Sequence, residues 1–206
     1  DILFGRASKD DLEHYSGEML AIAAAHAMAE IEAWDGTAPR ITVTTLADVR
    51  PQGEPISVLS VIDRNQPFLY DSVMGEVTST HRDIHLAIHP ILVVAPGEAP
   101  KLFSPDEESD PAQRVSHIEI HLPELAPNEA AALAERIGTV LDQVHLAVND
   151  WPSMLEKLGS TMADMERYAK EKPGKDEALA FLDWLRGNNF TFLGMREYSY
   201  SGKGEA

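Results

Sequence analysis

Histidines at 81, 85 and 89 are spaced by four, and His117 and His121 repeat that interval further along the chain. On a helix this spacing would line imidazoles along one face and offer nitrogen ligands to a metal ion. The segment that holds two of them, I-H-L-A-I-H-P-I-L-V-V at 84–94, alternates as a strand does. On a strand His85 and His89 share a face but lie about 13 Å apart, too far to hold one ion. If 84–94 pairs antiparallel with V-S-H-I-E-I-H-L at 115–122, one register sets His85 opposite His121 and His89 opposite His117, with Ala87 facing Glu119 between them. Ile84, Ile88, Ile118 and Ile120 would then line the other face. His85, His89, His117 and His121 are thus the candidates for a metal or pH-sensitive surface. The plainer reading is a polar sheet face or a partner interface, and no metal is expected. His14, His26 and His145 fall on helical stretches and read as structural or solvated.

A second polar group, D-R-N-Q-P-F at 63–68, lies where a strand pattern gives way to a helix pattern. Pro67 suits a first helical turn, because its missing N–H would be unpaired there in any case. Backbone N–H groups at a helix start favour anions such as a carboxylate, and Arg64 could receive one as well. Asp63, Arg64, Asn65 and Gln66 are therefore the candidate effector-binding residues. The competing reading has Asn65 or Gln66 capping the helix, with Asp63 and Arg64 solvated. Asn149-Asp150-Trp151 sets a carboxylate beside an aromatic ring, but Asn149 cannot titrate, and Asp150 reads better as the cap of a following helix.

Composition narrows the function classes. Thirty-four acids against 17 bases give a formal charge of -17, a field that repels phosphate backbones and anionic headgroups. Neither nucleic acid nor a membrane surface is an expected partner. There is no cysteine, so disulfides, thiolate catalysis and Cys-based metal centres are excluded. No run of about 18 apolar residues is present, and D-I-L-F-G-R lacks the order of a signal peptide, which fits a cytoplasmic location. The first residue is not Met, and a trimmed piece of a longer protein is expected. No G-x-G-x-x-G, G-x-x-x-x-G-K-[ST] or H-E-x-x-H occurs, and isolated glycines do not cradle a pyrophosphate.

The elements that must position these residues follow from periodicity. Ser16 caps a helix at 16–34, whose apolar positions recur at steps of four and three. I-T-V-T-T-L at 41–46 and I-S-V-L-S-V-I at 56–62 read as strands, and a helix follows the polar corner to about Thr80. From Pro127 two helical stripes run on either side of a break at Asp150-Trp151-Pro152. A short helix closes at Gly187, and F-T-F-L-G-M-R-E-Y-S-Y at 190–200 reads as a last strand. The expected fold is α+β: a ferredoxin-like antiparallel sheet with helices on one face, plus additional helices at the N-terminus and before the last strand. The expected division is a helical segment 1–38 and an α+β domain 39–206 with inserted helices around 151–187.

I-D-R-N-Q-P-F-L-Y-D-S-V, I-H-L-A-I-H-P-I-L-V-V, D-W-P-S-M and A-L-A-F-L-D-W-L-R-G-N-N-F-T-F-L-G-M-R-E-Y occur in this order. Together they resemble the N-terminal region of the large bacterial NAD-specific glutamate dehydrogenases. The resemblance implies an ACT-like, noncatalytic regulatory and assembly segment. It also implies a parent enzyme that oxidises L-glutamate to 2-oxoglutarate with NAD, its catalytic domain downstream. No cofactor is expected in the segment itself, and NAD belongs to the parent. Expected partners are other domains of the parent chain, a second copy in a homo-oligomer, and a small amino-acid effector. Amino-acid-sensing ACT domains usually carry glycine directly after the proline of this corner, where Phe68 stands. The alternatives are an interaction module without ligand and a His-based metal-binding domain, which metal analysis of the purified protein would separate.

Overall fold

The structure, a computed structural model, describes residues 2–5, 7–80, 83–95, 98–106, 108–168 and 172–198. His81, the first member of the histidine series, and residues 199–200 of the expected last strand lie outside them. The chain divides into two compact units, Asp1–Val144 and His145–Ala206. Among the described residues no helix is long and apolar enough to cross a membrane.

The first unit opens with a short helix α1 (Lys9–Leu12) and the helix α2 (Gly17–Glu32). The Ser16 hydroxyl accepts a bond from the Met19 N–H and so satisfies one of the orphan donors at the start of α2. The strands β1 (Arg40–Leu46) and β2 (Ile56–Arg64) pair antiparallel. Helix α3 (Leu69–Thr80) then leads to β3 (Leu86–Ile88), β4 (Ile91–Val93), the two-residue β5 (Lys101–Leu102) and the long β6 (Arg114–Pro123). The sheet runs β1-β2-β6-β4-β5, with β3 also pairing β6. The expected single strand 84–94 is two short ones, because Pro90 has no N–H to give and breaks the ladder after His89.

Helices cover this sheet on both sides. Ser57, Leu59 and Val61 of β2 share a face with Ile118, Ile120 and Leu122 of β6, and all are buried. Helix α3, through Leu69, Val73 and Val77, and the first part of α4 (Pro127–Tyr168), through Leu133, Ile137 and Leu141, supply the apolar stripes for that side. A methyl on Gly138 of α4 would stand 3.7 Å from Ile41. The opposite face was expected to be open or paired with a neighbour; here the N-terminal helix covers it. Val58, Ile62, Leu86, Ile88, Leu92 and Val115 form one apolar cluster with Ala23, Ala27 and Ile31 of α2 and with Leu3, Phe4 and Tyr15. Ala23 and Ala27 are fully buried, so the alanine-rich middle of α2 lets the helix lie close on the strands. Buried on both faces, β2 and β6 lose the polar alternation of a half-exposed strand.

Three expectations fail toward the C-terminus. The helix does not break at 150–152: α4 continues through Pro152, so Asp150 is an interior residue and not a cap. No strand forms among residues 190–198. In a βαββαβ unit the last strand lies beside the first, and here β1 already fills that place next to β2. The second unit contains α5 (Lys175–Trp184), entered through Gly174 at φ +78, then a single π turn at Leu185–Asn189 in place of a helix end at Gly187. Its 190–198 segment is tied by Lys157 Nζ to Glu197 Oε1 at 2.7 Å.

Candidate functional site

At the end of β2 the four corner residues go to different places. The Asp63 carboxylate, almost fully buried, accepts the Arg64 N–H at 2.8 Å. Arg64 extends away from α3, and its Nη2 donates to the Gly36 carbonyl at 3.0 Å. The Asn65 N–H donates to the Arg114 carbonyl at 2.8 Å, and its side-chain Oδ1 accepts from Ser116 Oγ at 2.9 Å. Gln66 keeps its amide nitrogen buried without a hydrogen-bond partner among the described residues. Phe68 adopts φ +70, a left-handed backbone that a bulky residue rarely takes and that glycine takes freely. The corner thus keeps a glycine-like path although its side chain is a phenyl ring, and the Phe68 carbonyl accepts the Ser72 N–H to start α3.

Ser116 joins the corner to one of the candidate histidines. Its Oγ lies 3.1 Å from His89 Nε2, and since Ser116 spends its own proton on Asn65, His89 must donate there. The His89 ring stacks on Tyr70 of α3, centroids 5.0 Å apart and planes within 3°. Burial holds the His89 imidazole below its ordinary pKa, nearby His117 adds to this, and Asp71 opposes it. Neutral His89, Ser116 and Asn65 therefore form a continuous polar relay from the strand break to the corner.

Arg64 stands at the rim of a cavity of about 640 Å³. Met28 and Ile31 of α2, Trp34 just after it, Val94 after β4 and Val115 of β6 give it apolar walls. Three carboxylates also border it. The N–H and hydroxyl of Thr37 hold Asp35 below the usual carboxylate range, and the Lys101 ammonium does the same for Glu98. Two of the three are thus engaged by their own neighbours, and among the described lining residues Arg64 is the cation. Pocket size and lining suit a small molecule with an apolar body, oriented by a few polar groups.

The four histidines do not form two facing pairs. Leu86 lies opposite His121 and Ile88 opposite Glu119, one residue away from the expected register. His85 gives only its backbone N–H to the His121 carbonyl, at 2.9 Å. A one-residue slip exchanges the faces of a strand, and the apolar cover of α2 selects the register that turns Leu86 and Ile88 toward it. His117 and His121 are consequently fully buried with Glu119 between them, and Ile118 and Ile120 keep the other face. Glu119 Oε1 is 2.7 Å from His121 Nε2, Oε2 is 3.5 Å from His117 Nε2, and Ser60 Oγ is 3.3 Å from the same nitrogen. Tyr15 Oη completes the row at 2.8 Å from His121 Nδ1. Among the described residues no three His, Asp or Glu side chains are grouped as a metal site. Tyr15 and His26, which proves to lie over this row and not in solvent, carry no sequence signal beyond their apolar surroundings.

Residues 1–137 match the family model described as glutamate dehydrogenase, ACT1 domain. The NAD-specific glutamate dehydrogenase of Halomonas elongata is 30% identical over 177 residues, covering 82% of this chain and 11% of that protein. The NAD-specific glutamate dehydrogenase of Pseudomonas aeruginosa is 28% identical over 149 residues, covering 69% of this chain and 9% of that protein. The chain spans about a tenth of the length of these curated relatives.

Proposed function

The chain belongs to the glutamate dehydrogenase ACT1-domain family, and from that membership we propose that it is a noncatalytic regulatory and assembly segment of a large, cytoplasmic NAD-dependent glutamate dehydrogenase. In this reading the parent enzyme converts L-glutamate to 2-oxoglutarate with reduction of NAD, and the chemistry takes place outside these residues. The observation that carries the regulatory part is Arg64, fixed by the Gly36 carbonyl at the rim of an apolar cavity. A guanidinium has five N–H groups and binds carboxylates well, so the effector is a small amino acid whose carboxylate meets Arg64 and whose body enters the cavity. Asp63, Asn65 and Gln66 belong to the same corner but do not line the cavity, so of the four candidate residues Arg64 alone meets the effector in this reading.

The assembly part rests on β1. This seven-residue strand has β2 on one side and forms the end of the sheet, and proteins usually cover or pair such an edge. A second copy, or another domain of the parent chain, is its partner here. Phe68 favours a second reading, an interaction module without ligand, because its ring stands where a glycine would let a ligand approach the backbone.

Calorimetric titration of the 206-residue chain with NADH and with a panel of free L-amino acids tests the proposal. One amino acid is expected to give saturable heat that Arg64→Ala removes, and NADH none. Saturable NADH binding would overturn the noncatalytic reading. Silence across the whole amino-acid panel would leave the interaction module.

A further inference from the structure

We propose that the polar row beneath α2 is a proton-binding site that controls whether α2 stays seated on the sheet. Five buried side-chain atoms on the face that α2 covers have no hydrogen-bond partner among the described residues. They are both ring nitrogens of His26, Nδ1 of His117, Oε2 of Glu119 and Oγ1 of Thr42. The strand register draws two members of this group, Thr42 and Glu119, into one line through Ser60, since Thr42 faces Ser60 and Ser60 faces Glu119. Orphan buried polar atoms are rare and costly, and such a concentration calls for a reason.

The reason lies in what a proton would do here. With Nε2 of His117 directed at Ser60 and Glu119, its Nδ1 is a neutral acceptor without a donor, a moderate cost. On protonation the same atom becomes a charged donor with no hydrogen-bond partner among the described residues, and lifting α2 would open it to bulk water. Helix α2 brings its own imidazole to the same place. His26 stands 3.8 Å from Glu30, and Glu30 is held by Arg40 of β1 at 2.7 Å. The other charged or titratable groups around the row are His121 and Glu119 of β6, Tyr15 of the N-terminal segment with Asp11 beside it, His85 near His121 and His89 near His117. Val58, Ile62, Leu86 and Ile88 on the same face are apolar and offer an extra charge no stabilisation.

The direction of the response follows. Burial holds His117 below its ordinary pKa, with Glu119 opposing in part. A released α2 would expose His117 to water and return it toward the ordinary value, so the open state takes up the proton first. The seat is therefore secure above about pH 6.5 and weakens as the pH falls below it. Helix α2 also walls the Arg64 cavity through Met28 and Ile31, so its release would dismantle that cavity. That last consequence rests on the effector reading, whereas the release itself does not.

Hydrogen exchange of the 206-residue chain, corrected for intrinsic rates and followed from about pH 7.5 to about pH 5.5, reads the release directly. Amides of 17–32 are expected to lose roughly tenfold or more of their protection relative to those of 56–64 and 114–123. His117→Gln, which keeps a neutral polar group toward Ser60, should abolish this selective loss. His26→Gln provides the same test from the helix side without altering the sheet, and should reduce it. Parallel loss in helix and strands, no loss at all, or a selective loss undiminished in both variants would overturn the proposal.

Discussion

The hydroxyl of Tyr15 and Nδ1 of His121, 106 positions apart in sequence, meet at 2.8 Å and tie the N-terminal segment to the middle of the sheet. Tyr15→Phe keeps the ring but leaves His121 Nδ1 buried without this partner. A buried group so orphaned costs about 1–3 kcal/mol. Urea denaturation of the variant should show a loss in that range with an unchanged slope; a loss too small to resolve would mean the bond contributes nothing to seating the segment.

Alkaline stability depends on the same residue. Burial raises the Tyr15 pKa, and the charges of Glu119 and Asp11 raise it further. A group whose folded-state pKa lies above its unfolded value contributes stability that is complete below the unfolded value and is lost as pH rises toward the folded one. For tyrosine that loss begins at about pH 10. A plot of unfolding free energy against pH should fall above this point, and Tyr15→Phe should flatten the fall. Identical slopes in the two proteins would contradict the assignment.

Phe68 sets two effects against each other. Left-handed backbone costs a non-glycine residue roughly 1–2 kcal/mol, and glycine would recover it. Truncating a phenylalanine in a core costs about 3–5 kcal/mol, but Phe68 is only partly buried. Phe68→Gly should therefore change stability by no more than about 1 kcal/mol, with the two terms nearly offsetting. Thermal unfolding decides: a loss in the full core range would show that the ring, and not the backbone path, defines this corner.

Much of the scaffold was legible because local pattern and final burial agree. The cap at Ser16, the β-branched runs of β1 and β2 and the length of β6 all carry their cause within a few residues, whereas Pro67, expected in the first helical turn, stands before α3 with Phe68 at φ +70 between them. The register of β3 does not. An alternating strand can offer either of its faces, and the matched histidine spacings pointed to the wrong one. The choice belongs to α2, which lies some sixty residues earlier and needs Leu86 and Ile88 beneath its alanines. The absent last strand has a similar origin. The 190–198 pattern is strand-like, but the vacancy it would fill beside β2 is occupied by β1. The corner was legible as a polar interruption between strand and helix. The cavity at Arg64 was not, because its walls come from α2, from the turn after it, from the residues after β4 and from β6, and no single stretch of sequence contains them.

The regulatory account depends most directly on Arg64. The measurement is the rate of glutamate-dependent NADH formation by the full-length parent enzyme, recorded against the concentration of the amino acid that saturates the isolated chain. A charge-assisted bond from a guanidinium to a carboxylate is worth about 1.5–3 kcal/mol, which corresponds to roughly tenfold or more in affinity. The account predicts that Arg64→Ala moves the half-maximal response to at least about tenfold higher concentration. Superimposable response curves for the wild type and the variant, with the same assembly state, would contradict it.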